Sequence, residues 1–301
     1  MRDHLVKGVA PGGLSCLGVI STAAARTARD RHQLAPTSAG LLAEGLTAGL
    51  LLGALQPTDG RVNIQVECDG PARGLLVDAD THGNVRGLVR SRVVNFPLYN
   101  PDGRFSTRPA LGGAGYISVL REQGPGKIFR GVVDLGDGAL DQGVERYFRA
   151  SEQTYSALAL EVLAWEDEPL TAVAGILLQA LPGGDLELLD RLQQKLRDGY
   201  LASAMRVAKG AQELITDVLG DVPFELRATE EVRFACRCSR EGVVRAISTL
   251  GPAEVADMII RDHRADVTCD FCSESYAVEE PELRAILDAI DRADLERGGD
   301  A

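Results

Sequence analysis

Residues 61–71 read RVNIQVECDGP. Val62, Ile64, Val66 and Cys68 alternate with Arg61, Asn63, Gln65 and Glu67, the period of a strand with one face in a core. Working outward, GLLVDADTHGNVRGLV (74–89) predicts two strands around a turn at His82-Gly83-Asn84. GYISVLREQGPGKIFRGVV (115–133) predicts a second hairpin turning at Gly124-Pro125-Gly126. A helix is expected over Leu140–Ser151, then strands over Ser156–Ala164 and Ala172–Leu181. Hairpins in place of strict strand–helix alternation give an α+β fold with an antiparallel sheet.

Upstream, Pro36–Leu55 suits an Ala/Leu-rich helix capped by Thr37 or Ser38. Its apolar core, LLAEGLTAGLLLGAL, is short for a membrane span and carries Glu44, so a buried helix is expected. The N-terminal MRDHLVKGVAPGGLSCLGV fails as a signal peptide, because Gly and Pro follow its charged start where an apolar run belongs. Gly13-Leu14-Ser15-Cys16 faintly resembles a lipoprotein cleavage site but lacks the preceding apolar segment.

Downstream, Leu181-Pro182-Gly183-Gly184 breaks the pattern. Leu186, Leu189, Leu192 and Leu196 then recur at helical steps, and a second helix is expected from Leu201 to Leu219 before the Gly220/Pro223 break. The expected organisation is an α+β core domain (1–182), a helical linker domain (183–231) and a small C-terminal domain (232–301) ending in a frayed ERGGDA tail. The last carries helices over Val243–Leu250 and Pro252–Asp262, and is small enough to need a staple.

The chain has 301 residues, 45% hydrophobic and 25% charged, as in ordinary globular proteins. A net charge of −12 disfavours nucleic acid and anionic membranes, and one Trp leaves no stacking platform for single strands. Gly124-Pro125-Gly126-Lys127-Ile128 is no phosphate loop, because its glycine spacing and the Ser/Thr after Lys are missing. Gly112-Gly113-Ala114-Gly115 reads as a loop before a strand. Four scattered histidines and no nucleophile motif argue against a hydrolase, and no catalytic residues are assigned.

Six cysteines in a chain expected to be cytoplasmic point to metal or redox chemistry over stapling. Four of them, Cys236, Cys238, Cys269 and Cys272, form CxC and CxxC pairs. Two close pairs from separate turns supply the four soft thiolates of a tetrahedral zinc site, with one zinc per chain. A metal would also supply folding energy that the small C-terminal domain lacks. His263 lies between the pairs and is expected on the surface; Cys16 and Cys68 are expected to be small buried residues. By spacing alone the site is either an inert staple or a switch. Two rivals remain beside it: a thiol–disulfide oxidoreductase using Cys269 and Cys272, and a zinc-ribbon interaction module.

HGNVRGLV, FRGVVDL, YFRASEQ, VRFACRCSRE and TCDFCSESY, in this order, resemble the redox-regulated thirty-three-kilodalton heat-shock chaperone family of bacteria, as do HQLAPTSAGLLAEGLTAGLLLGAL and VNIQVECDGP before them. The resemblance covers nearly the whole chain. It implies a reduced, zinc-bound, inactive form. It further implies that oxidation joins Cys236 to Cys238 and Cys269 to Cys272, releases zinc, destabilises the linker and yields an ATP-independent holdase for unfolding client proteins, dimeric on activation. Client-contacting residues are not identified by it. Arg261, His263 and Arg264 before the CxxC depart from the acidic run expected there, and Gly242 enters the helix after CxC.

Overall fold

The computed structural model describes residues 2–96, 106–124, 126–136, 138–165 and 168–298. The chain divides into two compact units, Met1–Ala235 and Cys236–Ala301. The larger begins with β1 (His4–Ala10), β2 (Leu14–Ile20), α1 (Thr22–His32), α2 (Pro36–Ala54), β3 (Arg61–Cys68), β4 (Gly74–Asp80), β5 (Asn84–Val89) and α3 (Arg108–Leu111). It continues through β6 (Gly115–Glu122), β7 (Ile128–Asp134), α4 (Leu140–Ser151), β8 (Ser156–Trp165) and β9 (Glu168–Ala180). Helices α5 (Leu186–Arg197), α6 (Tyr200–Ala204) and α7 (Ala211–Leu219) and strands β10 (Glu225–Glu231) and β11 (Arg233–Phe234) complete it.

Two sheets organise this unit. One has the order β10-β1-β2-β9-β8, the other β11-β5-β4-β3-β6-β7. Every pairing is antiparallel except β11 with β5. The α+β class read from the hairpins is what the chain adopts, with Val62, Ile64 and Val66 buried as the alternation requires. Pro125, in the expected second turn, lies outside the described residues.

Helix α2 explains why two sheets are needed. It is apolar all round, so no single layer can cover it. It packs against β3, β4 and β5 of one sheet and β2, β8 and β9 of the other. Among the described residues it is the one helix long and apolar enough to cross a bilayer, yet it is wholly buried inside the protein. Gly45, Gly49 and Gly53 face the six-stranded sheet, and a Cβ at Gly49 would stand 2.6 Å from Val77 Cγ1. Side-chain-free positions at four-residue steps thus let the helix axis approach β4.

The expected cap of α2 is corrected. Ala35 is the N-cap and Pro36 opens the helix. The Thr37 and Ser38 hydroxyls instead serve the segment after β5: Ser38 Oγ donates to Ser91 O (2.7 Å) and accepts from Val94 N–H (3.1 Å), and Thr37 Oγ1 accepts from Phe96 N–H (2.8 Å).

The N-terminal stretch, read above only for export, is the β1–β2 hairpin. Its turn needs Gly12 and Gly13 at φ +82° and +68°. Asp3, just before β1, caps α1 from a distance, accepting from Ala23 N–H (3.0 Å) and Ala24 N–H (2.8 Å).

Helices α5, α6 and α7 cover the outer face of the five-stranded sheet. Leu188, Leu189, Leu192, Leu196, Leu214, Ile215 and Val218 pack there with Val6, Cys16, Ile20, Ile176 and Leu178. The single helix expected over Leu201–Leu219 is corrected to two, α6 and α7, separated where Gly210 is fully extended (φ −176°). His4 Nε2 accepts Ala211 N–H (3.0 Å), satisfying one donor at the start of α7. Residues 225–231, read within the helical stretch, form β10 on the edge beside β1.

The smaller unit holds α8 (Arg240–Ser248), α9 (Pro252–Arg261), β12 (Arg264–Thr268), β13 (Ser275–Glu279) and α10 (Glu280–Gly298). Its core is thin: Ile247, Val255, Ile259, Ala265, Val278, Leu283 and Ile286. The frayed tail expected at ERGGDA is corrected for residues 296–298, which belong to α10; residues 299–301 lie outside the described residues.

Candidate metal centre

The two cysteine pairs sit on different supports. Cys236 and Cys238 lie in the loop between β11 and α8. The loop is anchored at once by Ser239, the N-cap of α8, whose Oγ accepts Gly242 N–H at 3.1 Å. A glycine in that first turn is therefore capped, and only the N-cap Ser239 separates the second thiol from the helix.

Cys269 and Cys272 occupy the tip of the β12–β13 hairpin. Cys269 N–H donates to Glu274 O (2.8 Å), and Cys269 O accepts from Cys272 N–H (3.3 Å) and Ser273 N–H (2.8 Å). Ser273 takes the left-handed conformation (φ +56°) that this tight return requires. The turn brings the two thiols to one side of the tip.

All four Sγ atoms lie within 4.8 Å of one another. Cys236 Sγ is 3.7 Å from Cys269 Sγ, and Cys238 Sγ is 3.4 Å from Cys272 Sγ. A tetrahedral ion with metal–sulfur bonds of about 2.3 Å demands sulfur–sulfur edges near 3.8 Å. The cluster is already close to that size, so the donor set fits a soft or borderline divalent cation. Cys272 is buried (1% exposed) and the other three are half-buried, so the group is sheltered but reachable.

Without a cation the arrangement is electrostatically adverse. Burial, and then the neighbouring sulfurs, push the Cys269 and Cys272 thiols above their ordinary value. A bound divalent charge inverts this preference and holds the sulfurs as thiolates. Tyr276 Oη donates to Cys238 Sγ at 3.1 Å, and that sulfur in turn raises the phenol's pKa. The only advance signal for Tyr276 was its place four residues past Cys272 on a strand.

The other sequence candidates stand apart from the cluster. His263 is exposed and pairs through Nδ1 with Glu280 Oε2 at 2.9 Å, as a surface histidine should. Cys16 is fully buried within the five-stranded sheet, where burial pushes its thiol up to about 12. Cys68 is half-buried at the end of β3, less covered than expected. Among the described residues, the metal-competent thiols are the four of the CxC and CxxC pairs. The CxxC pair also lacks the helix N-terminus that lowers thiol pKa in oxidoreductases, since a hairpin tip takes its place.

A family model described as Hsp33 protein matches residues 3–279. A 33 kDa chaperonin of Gloeothece citriformis is 38% identical over 298 residues, 96% of this chain and 98% of that protein. One of Acaryochloris marina is 36% identical over 297 residues, again 96% and 98% of the two chains. The fold is similar to the crystal structure of a 33 kDa chaperonin (heat shock protein 33 homolog) from Thermotoga maritima, with a TM-score of 0.86 at 24% identity, covering 96% of this chain and 98% of that one. With a near-complete family match, relatives above 30% identity and a four-thiol cluster in its C-terminal unit, this chain belongs to the Hsp33 family of chaperones.

Proposed function

We propose that this protein is a redox-regulated, ATP-independent holdase whose resting form binds one zinc ion through Cys236, Cys238, Cys269 and Cys272. The observation that carries this reading is the gathering of four Sγ atoms within 4.8 Å from two separate turns. A zinc ion bound there would keep the sulfurs as thiolates and tie the loop before α8 to the β12–β13 tip.

Thiolates are the form that peroxide attacks. One sulfur of a pair gives two electrons to the O–O bond, becoming a sulfenic acid as hydroxide leaves. The second thiolate displaces the sulfenic oxygen, again as hydroxide, and closes the disulfide. In the pairing Cys236–Cys238 and Cys269–Cys272, each disulfide consumes two ligands. The loop and the hairpin then lose their common tie, and the thin core around Ile247, Val255 and Val278 is left to hold the small unit alone.

The second half of the proposal concerns residues 183–231, treated as a linker between the core domain 1–182 and the zinc-binding domain 232–301. Their apolar face is buried on the five-stranded sheet at rest, with Leu189, Leu192, Leu214 and Ile215 inward. Loosening of this layer would expose that face and the sheet beneath it to unfolding clients. The acidic surface favours keeping a loaded chaperone soluble. Cytosolic residence and dimerisation on oxidation belong to the same reading.

The test is aggregation of a chemically unfolded client followed by light scattering. Oxidised, zinc-free protein should suppress scattering and the reduced, zinc-bound form should not. Equal behaviour of the two forms refutes the switch. Insulin reduction with turnover abolished by Cys269→Ser would instead establish the oxidoreductase.

A further inference from the structure

On the larger unit, α4, the start of β8 and α5 enclose a cleft of about 410 Å³ lined by Gln142, Glu145, Arg146, Arg149, Ser156, Gln193 and Arg197. Its volume falls in the range of small-ligand sites. Three guanidiniums face one carboxylate there, a local positive excess on a chain of net charge −12.

The carboxylate is already used. Glu145 Oε1 accepts from Leu158 N–H (2.8 Å) and Gln193 Nε2 (3.0 Å), and Oε2 accepts from Arg197 (3.2 Å). Each guanidinium has five N–H donors, so these contacts leave several to spare. Arg146 is fixed by the carbonyls of Asp134 and Leu135, and Arg149 stands 5.1 Å over the Tyr155 ring. Both are therefore held in place without a carboxylate partner of their own in those contacts. Ser156 also lines the cleft, but its hydroxyl oxygen is enclosed by the protein, so the donors open to a ligand are the guanidiniums and the Gln142 amide.

We propose that this cleft binds a phosphate-class oxyanion, and that the bound anion clamps α5 to α4. Guanidinium forks match the geometry of phosphate oxygens, and Gln142 supplies a neutral donor. Arg146 and Arg149 belong to α4, whereas Gln193 and Arg197 belong to α5, the first helix of the 183–231 segment. An anion bridging the two favours the docked arrangement by mass action. The binding step stands whether or not the redox switch operates. Only its consequence for activation rests on the linker reading above.

The experiment titrates reduced, full-length protein calorimetrically with inorganic phosphate and, separately, glycerol 3-phosphate, at constant ionic strength set with chloride. A saturable heat is expected, with affinity lowered about tenfold by Arg149→Gln or Gln142→Ala, the loss of one hydrogen bond to a charged group. Tighter binding of the monoester would identify a phosphate carried on a larger molecule; tighter binding of inorganic phosphate, the free ion. Arg149 and Gln142 are both exposed, so neither variant should unfold, which circular dichroism checks. Heats of dilution alone, or affinity unchanged in both variants, overturn the site. Amide exchange over residues 186–197 should slow when phosphate is bound; unchanged exchange at saturation overturns the clamp.

Discussion

Tyr276 donates its hydroxyl to Cys238 Sγ across 3.1 Å, from the strand that follows the CxxC tip to the loop that carries CxC. The bond links the two halves of the cluster without being a metal ligand. It also places a donor on a sulfur whose nucleophilicity falls as its charge is shared.

Tyr276→Phe keeps the ring and removes that donor. Partners of this kind typically tune metal affinity by one to two orders of magnitude. Peroxide-driven zinc release, followed with a chromogenic chelator, should be about tenfold faster in the variant, with Cys238 oxidised earlier by mass spectrometry. An unchanged rate would make the hydrogen bond structural only.

Metal removal should be felt locally. Structural zinc contributes on the order of 10–16 kcal/mol of apparent folding free energy in small modules. Chelation, or Cys272→Ser, should abolish amide protection in α8, β12 and β13. The two sheets of the larger unit, with their own core, should keep theirs.

Gly18 on β2 lies beneath α7, and a Cβ there would stand 2.9 Å from Ile215 Cγ1 and 3.1 Å from Ala211 O. Gly18→Val therefore wedges α7 off the sheet at a cost of about 1–3 kcal/mol. If exposure of this layer makes the holdase, the reduced, zinc-bound variant should already suppress client aggregation. A destabilised but inactive variant would place the client surface elsewhere.

Glu44 is buried in α2, with Thr107 Oγ1 donating to Oε2 at 2.6 Å. Burial raises its pKa well above the ordinary 4.5. The folded state thus binds a proton that the unfolded state has released, and stability falls as pH rises from 4.5 toward the folded value. Glu44→Gln keeps an acceptor for Thr107 without the ionisation. It should be more stable than the parent at pH 8, with a flatter stability profile above pH 5, measured by urea titration.

Much of this was legible in order along the chain. The alternation of 61–68 and the hairpins after it fixed an antiparallel α+β fold, because a strand with one dry face must alternate. The cysteine spacing identified the thiols that gather, because short pairs on turns have few other uses. The first hairpin was not legible: β2, LSCLGVI, has little exposed surface on either side and carries no period to read. Nor was β10, whose ELRATEE has no apolar stripe and is a strand because β1 offers it an open edge. The break between α6 and α7 likewise depends on His4, some two hundred residues away in sequence, taking up the Ala211 N–H.

Local sequence therefore determined the strands and hairpins from β3 to β7, the fold class and the identity of the four thiols, all of which rest on short-range period and spacing. Only the tertiary structure decided that α2 is buried between two sheets, that Tyr276 reaches Cys238, and that Arg149 and Arg197 share one cleft around a satisfied Glu145. Those are contacts between segments far apart in the chain. No periodicity encodes them, because they are set by how whole layers pack.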